Sequence, residues 1–228
     1  MKIVEMPGTD AKKRLEALLS YQIMDTPSEP AYDDIARRAA EICGTSMAAV
    51  TLLDERRQWF KAQMGFEMRE TPLEDAFCAR AIERPGELMV VPDAARDERF
   101  RDNPMVTGGM QLRFYAGAPL VTPEGVPIGT VCVLDQEPRE LSRIEGSALK
   151  GLARETIAVM EAARCRALLD RERERAQHLQ VSETYFRHLT EYALVSCQPS
   201  DLHNFAVFSR MRSALAVQRK GLGLLLCS

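Results

Sequence analysis

The segment Leu112–Asp135, LRFYAGAPLVTPEGVPIGTVCVLD, constrains the fold more than any other part of the chain. Two runs rich in β-branched and aromatic residues, Leu112–Val121 and Val126–Leu134, flank Thr122-Pro123-Glu124-Gly125. Pro123 presets φ for the second position of a type I turn, and Gly125 supplies the left-handed residue that closes such a turn into a hairpin. In the second run Val131 and Val133 point to one face of a strand, and Thr130, Cys132 and Leu134 to the other. Both sets are mostly apolar, which predicts a hairpin covered on both faces. Pro119 and Pro127 each remove a ladder donor, and Gly117 predicts a bulge or the close approach of another element.

The same residues carry a family likeness. RFYAGAPL, a short turn and GVPIGTVCVLD resemble the last hairpin of a GAF domain, the ligand-sensing module of many bacterial signalling proteins. RLEALLSYQIMDTP, AVTLLDERRQWFKAQMG, DAFCARAI and VVPDAARDERFRDNP fit the same pattern in order, so the likeness runs from about Lys12 to Arg164. It implies an α+β fold, an antiparallel sheet with helices on both faces and a pocket beneath one helical layer, to which the residue pattern from Leu141 adds a long C-terminal helix. It names no ligand and no cofactor.

A block of about 150 residues buries roughly two-thirds of its unfolded surface, enough for a core without staples. The net charge of −3 gives no reason to expect nucleic acid as a partner. Six cysteines, at 43, 78, 132, 165, 197 and 227, include no CxxC pair, so neither a zinc pattern nor a disulfide framework is present, and a reducing cytoplasm is the simplest setting. The N-terminus lacks an apolar signal core, and no run approaches the ~18 residues of a membrane span.

Asp10 is placed to cap a helix to about Tyr21, with Leu15, Leu18 and Leu19 on one side. MDTPSEP breaks it. Ser28 or Asp33 can start a second helix carrying Ile35, Ala39 and Ile42, with Gly44 as its C-terminal stop. Met47–Asp54 and Gln58–Met64 read as strands in which Trp59 and Phe60 must face opposite sides of the sheet. Leu73–Arg84 reads as a helix with Phe77, Cys78, Ala81 and Ile82 on one face, and Leu88–Val91 as a short strand. In the irregular stretch PDAARDERFRDNP, Asp93 can cap a single turn, Phe100 can pin the loop to the sheet, and Asn103-Pro104 signals a turn. In GAF domains the matching region lies over the ligand pocket.

From Leu141 a long helical stripe runs through Ile144, Ala148, Leu152, Val159, Ala163 and Ala167, followed by the mixed charges of DRERER. A helix of ~35 residues cannot bury itself wholly on one domain, which predicts a homodimer through residues 141–190. The organisation expected is a GAF-like domain over residues 1–165, a helical linker over 166–190 and an irregular tail over 191–228. SETYFRHLTEYALV resembles the first turns of a PAS domain, but none of the strands of such a domain follows. Leu202, Phe205, Phe208, Met211 and Leu215 fall at helical spacing beside basic residues, a pattern shared with amphipathic membrane-surface helices.

The residues offer little catalytic chemistry. All three histidines, His178, His188 and His203, lie outside the GAF-like block, which therefore supplies no histidine ligand or base. His188 is followed by Leu189, where phosphoacceptor histidines of kinases have an acidic residue. Cys78 is the sharpest candidate. Bilin-carrying cysteines of phytochrome-like GAF domains are typically followed by histidine, whereas Ala79 follows here, and Cys43, Cys78 and Cys132 do not match the GAF-type methionine sulfoxide reductases. The NKFDE-type signature of cyclic-nucleotide GAF domains is absent. The reading is thus a non-enzymatic sensory module that binds a small molecule and signals through a dimeric helix to an output domain of histidine-kinase or diguanylate-cyclase type. Its candidate pocket lining is Phe60, Phe77, Cys78, Asp93, Phe114 and Tyr115. The alternative is a redox-responsive or catalytic thiol protein centred on Cys78, whose thiol would need a nearby cation or helix N-terminus.

Overall fold

The computed structural model describes residues 11–196. One compact unit extends to Leu168, and a second begins at Leu169. The first unit is built on six strands: β1 (Met47–Leu53), β2 (Arg57–Met64), β3 (Glu70–Pro72), β4 (Met89–Val91), β5 (Phe114–Val121) and β6 (Pro127–Asp135). They form one sheet in the order β3-β2-β1-β6-β5-β4, with every neighbouring pair antiparallel. The helices are α1 (Ala11–Tyr21), α2 (Pro30–Cys43), α3 (Phe77–Ala81), α4 (Pro104–Thr107) and α5 (Arg143–Ser196).

The hairpin β5–β6 forms on the expected turn. Gly125 has φ 81° and donates its N–H to the Thr122 carbonyl at 2.9 Å, while Thr122 N–H donates to the Val126 carbonyl at 2.9 Å. All nine residues of β6 are buried, as befits a strand flanked by β1 and β5 and covered on both faces. Pro119 lies past the stretch of β5 that pairs with β4, where no donor is required on that side. The irregularity in the hairpin falls between Leu120 and Val121 rather than at Gly117. Gly117 marks a close approach instead, by the side chain of Tyr115.

Strand alternation divides the apolar residues into two cores. In the first, α1, α2 and the early turns of α5 cover one face, packing Leu18, Tyr32 and Ile35 with Trp59, Phe114 and Leu152. In the second, α3, α4 and the segment between β4 and β5 cover the other, packing Phe77, Phe100 and Met105 with Phe60, Tyr115 and Leu134. Trp59 and Phe60 fall into different cores, as adjacent strand residues must.

Several local expectations give way to tertiary contacts. Leu73–Arg84 is not one helix: a 3₁₀ turn at Leu73–Asp75 is separated from α3 by Ala76 in extended conformation (ψ 117°). The Asp75 carbonyl accepts from the Asn103 side-chain amide at 2.9 Å, and Leu73 N–H donates to the Arg56 carbonyl at 2.9 Å, so the segment is held by partners outside itself. Asn103-Pro104 begins α4 rather than a simple turn, Asn103 Oδ1 accepting from Met105 N–H at 2.8 Å. Helix α2 opens at Pro30 with Glu29 as its flanking residue and no side-chain cap, while Gly44 ends it at φ 61°. The cap expected from Asp10 lies outside the described residues.

The buried edges of the helices are also narrower than their apolar stripes. Leu19, Ile42 and Ile144 are exposed, and the core contacts of α5 come from Leu149, Leu152, Ala153 and Met160. In the second unit α5 continues to Ser196, so the PAS-like stretch SETYFRHLTEYALV is helical as far as it is described. The residues that follow, including the basic stripe from Leu202, lie outside the described residues.

The bulge between Val50 and Thr51 in the β1–β2 register leaves Lys61 without a partner on β1. Its side chain is fully buried, and Nζ donates to Thr26 Oγ1 at 2.7 Å and to the Pro27 carbonyl at 2.8 Å, pairs with Glu29, and stands 5.1 Å from the Tyr32 ring centroid. One ammonium therefore fastens the MDTPSEP connection to the sheet.

Candidate functional site

The second core contains a polar island. Cys78, the second residue of α3, accepts at Sγ from Thr130 Oγ1 at 3.0 Å and from the Tyr115 hydroxyl at 3.3 Å, with Cys132 Sγ at 3.9 Å. Thr51 Oγ1 lies 3.0 Å from Thr130 Oγ1 and extends the network across β1 and β6. The register explains the meeting: Thr51 pairs with Thr130 across β1–β6, and Tyr115 on β5 shares their face of the sheet. Cys78, Tyr115, Thr130 and Cys132 are each no more than 1% exposed.

Burial alone raises a thiol, but here the hydrogen bonds from Cys132, Thr130, Thr51 and Tyr115 outweigh it and bring Cys78 down to about 7. Cys132 is pushed up by its hydrogen bond to Cys78 and by burial, and Tyr115 by burial and the charge on Cys78. Both therefore stay protonated and serve as donors. The contrast with Cys43 is direct: without such donors, burial pushes that thiol up to about 11. Arg80, close to Cys78 in sequence, turns to Glu83 at 2.8 Å, so hydroxyl and thiol donors supply what a cation was expected to supply.

Of the sequence-derived pocket residues, Phe60, Phe77, Cys78 and Tyr115 come together in the second core. Phe77 stacks on Phe100 at 4.0 Å and stands 5.3 Å from Tyr115, so Phe100 holds the loop beneath α3. Phe114 does not join them. It alternates with Tyr115 along β5 and enters the first core, with Tyr32 and Trp59. Asp93 accepts from Ala95 N–H at 3.1 Å and pairs with Arg96 at 3.3 Å, capping the turn that follows β4. Two further groups on the face of Phe60 went unnoticed in the sequence: Gln58 and Thr71, paired across β2–β3 and buried, whose Oε1 and Oγ1 lack a hydrogen-bond partner. Thr71 lies on a three-residue edge strand with no periodic signature, and Gln58, at the start of β2, is buried only because β3 pairs beside it.

A separate recess of about 160 Å³ opens near Gly86, Pro119, Lys150, Arg154 and Ile157, and contains none of the six pocket candidates. Among the described residues no group of three or more His, Cys, Asp or Glu side chains is placed to hold a metal ion, and no helix is long and apolar enough to cross a membrane.

Comparison with known proteins agrees with this architecture. The family model for the GAF domain matches residues 28–158, more than half of the chain. A cyclic di-GMP phosphodiesterase of Pseudomonas aeruginosa is 40% identical over 149 residues, which are 65% of this chain and 25% of that protein. The chain thus spans about a quarter of that relative's length. Among solved structures, the GAF domain of a phosphoenolpyruvate-protein phosphotransferase from Coxiella burnetii superimposes with a TM-score of 0.52 at 16% identity, covering 70% of this chain and 99% of that one. The GAF domain of the corresponding Acinetobacter protein gives 0.51 at 18% identity, covering 69% and 97%. At such identities these likenesses concern the fold alone. With the six-stranded antiparallel sheet, the two cores and the matched residues 28–158 in agreement, the chain belongs to the GAF domain family.

Proposed function

We propose that this chain is a regulatory sensory module in which a small molecule is read in the second core and the response passes along α5, paired with α5 of a second copy, to an output domain. The observation that carries the reading is the apolar stripe on the later part of α5. Leu168, Leu179, Phe186 and Leu189 are exposed and lie 11, 7 and 3 residues apart, which sets them on one heptad frame whose other core positions hold Glu172, Arg175 and Ser182. A single helix leaves these side chains in water; a parallel pair buries them and sets two output domains side by side.

The ligand half of the proposal draws on the second core. Phe60, Phe77, Cys78 and Tyr115 are its proposed lining, and the unpartnered Gln58 Oε1 and Thr71 Oγ1 on the same face are groups that a polar ligand would satisfy. Asp93 would act at the edge, through the turn it caps. The output would be of histidine-kinase or diguanylate-cyclase type, or of the cyclic di-GMP phosphodiesterase type that the Pseudomonas relative's name carries. The part of this chain in either case would be regulatory, in the cytoplasm.

Sedimentation equilibrium tests the transmission half. The chain should be a dimer at micromolar concentration, and Leu168→Ser with Leu169→Ser should make it a monomer while the sheet's circular dichroism is unchanged. A monomeric wild-type chain with α5 fully helical would overturn the pairing. Native mass spectrometry of the chain purified under mild conditions tests the ligand half by the mass that stays bound.

A further inference from the structure

We propose that Cys78 and Cys132 are an oxidisable dithiol, converted by hydroperoxides to a disulfide that ties α3 to the centre of the sheet. The inference goes beyond the ligand-binding reading, since it needs no ligand and is read at two sulfurs.

Three observations carry it. The first is distance: the sulfurs are 3.9 Å apart, from residues 54 positions apart in sequence, and must close by roughly 1.9 Å to reach the S–S length of about 2.04 Å. The second is the donor set. Thr130 Oγ1 at 3.0 Å and the Tyr115 hydroxyl at 3.3 Å aim at one sulfur, a poor acceptor as a thiol and a strong one as a thiolate. A pair of cysteines serving only as small apolar side chains needs no such donors. The third is the shortness of the element that carries one sulfur. Cys132 sits on β6, buried along its whole length, whereas Cys78 sits on a helix of five residues bounded by extended Ala76. Local opening of so short a helix costs far less than opening the sheet, and admits a molecule as small as a hydroperoxide.

The chemistry balances. The Cys78 thiolate attacks the near oxygen of the hydroperoxide; the O–O bond breaks, and the departing oxygen leaves as water or alcohol after taking a proton. Cys78 is then a sulfenic acid. The Cys132 sulfur attacks the Cys78 sulfur, its proton and the sulfenic hydroxyl leave together as a second water, and the disulfide forms. Two thiols are oxidised and one hydroperoxide is reduced. The disulfide removes the thiolate that accepts from Thr130 and Tyr115, and any shift of Cys78 toward Cys132 is passed to α3 and the Phe77–Phe100 stack beside it.

The test uses the full chain, reduced and purified without oxygen, exposed to stoichiometric hydrogen peroxide, then denatured, alkylated and digested for mass spectrometry. The expected product is a peptide pair joined through Cys78 and Cys132 and separated by dithiothreitol. In Cys132→Ala the Cys78 sulfenic acid should persist and be trapped by dimedone, and its formation by peroxide should quicken as pH rises and level off above about 7. Thr130→Val, which deletes the nearest donor, should slow that oxidation about fivefold at neutral pH, because raising a thiol of about 7 by about one pH unit cuts its thiolate from about one half to about one tenth. Recovery of both residues as free thiols, under exposure that has oxidised the exposed Cys165, overturns the proposal. So does Cys78 joined to any other cysteine. Because the wild-type chain gives the deciding result, neither outcome depends on how the variants fold.

Discussion

The hydroxyl of Tyr115 lies over Gly117, two residues along the same strand: a Cβ built on that glycine would stand 2.1 Å from it. The glycine lets the Tyr115 ring lean along β5 and bring its hydroxyl within 3.3 Å of Cys78 Sγ. Gly117→Ala should therefore destabilise the fold by about 1–3 kcal/mol through overpacking. Tyr115→Phe should give no relief, since two ring carbons would still lie 2.7 and 2.9 Å from the new methyl. Urea denaturation of the single and double variants checks both statements.

Gly125 provides the complementary case. Its φ is 81°, and nothing lies within 4 Å of an added Cβ, so Gly125→Ala meets only the backbone penalty. The expected loss is about 1 kcal/mol in chemical denaturation. An unchanged midpoint would mean that the hairpin closes on another turn.

Lys61 should tolerate no apolar replacement of its own length. Lys61→Met keeps the stem but removes the ammonium from Thr26, the Pro27 carbonyl and Glu29. Because Glu29 is half exposed and can return to water, the cost is about 1–3 kcal/mol rather than that of a stranded buried charge. Hydrogen exchange should show the connection between α1 and α2 opening ahead of the sheet.

Acid should weaken the fold through Asp54 and Asp135. Burial raises both carboxyls, but backbone hydrogen bonds from Arg56 and Arg57 to Asp54, and from Ser46 and Glu137 to Asp135, together with the neighbouring arginines, hold them below the ordinary value of 3.8. Their folded values being depressed, their contribution is complete at neutral pH and is lost as pH falls below 3.8 through those lower values. Urea midpoints followed down to about pH 3 should fall, and Asp135→Asn should lower the neutral-pH midpoint and flatten part of that fall.

How much of this was legible in the sequence follows from the range of the forces involved. The β5–β6 hairpin, the Gly44 stop, the opposite facing of Trp59 and Phe60, and the GAF fold are written locally, in turn residues, alternation and ordered segments. Those signals act over a few residues and survive without knowledge of the rest of the chain. The break at Ala76, the placing of Asn103 before α4, the burial of Lys61, and the exposure of Leu19, Ile42 and Ile144 are settled by how the elements pack, through contacts such as Asn103 on the Asp75 carbonyl with a separation of 28 and Lys61 on Thr26 with a separation of 35. The candidate site divides in the same way. Cys78 stood out from the sequence, but its setting did not, because Thr51, Tyr115, Thr130 and Cys132 are brought to it by strand register. Alternation moved Phe114 away from Tyr115, since neighbours on a strand cannot share a face. The residue types were fixed by the chain; which sulfur receives the hydroxyls was decided only when β1, β5, β6 and α3 had packed together.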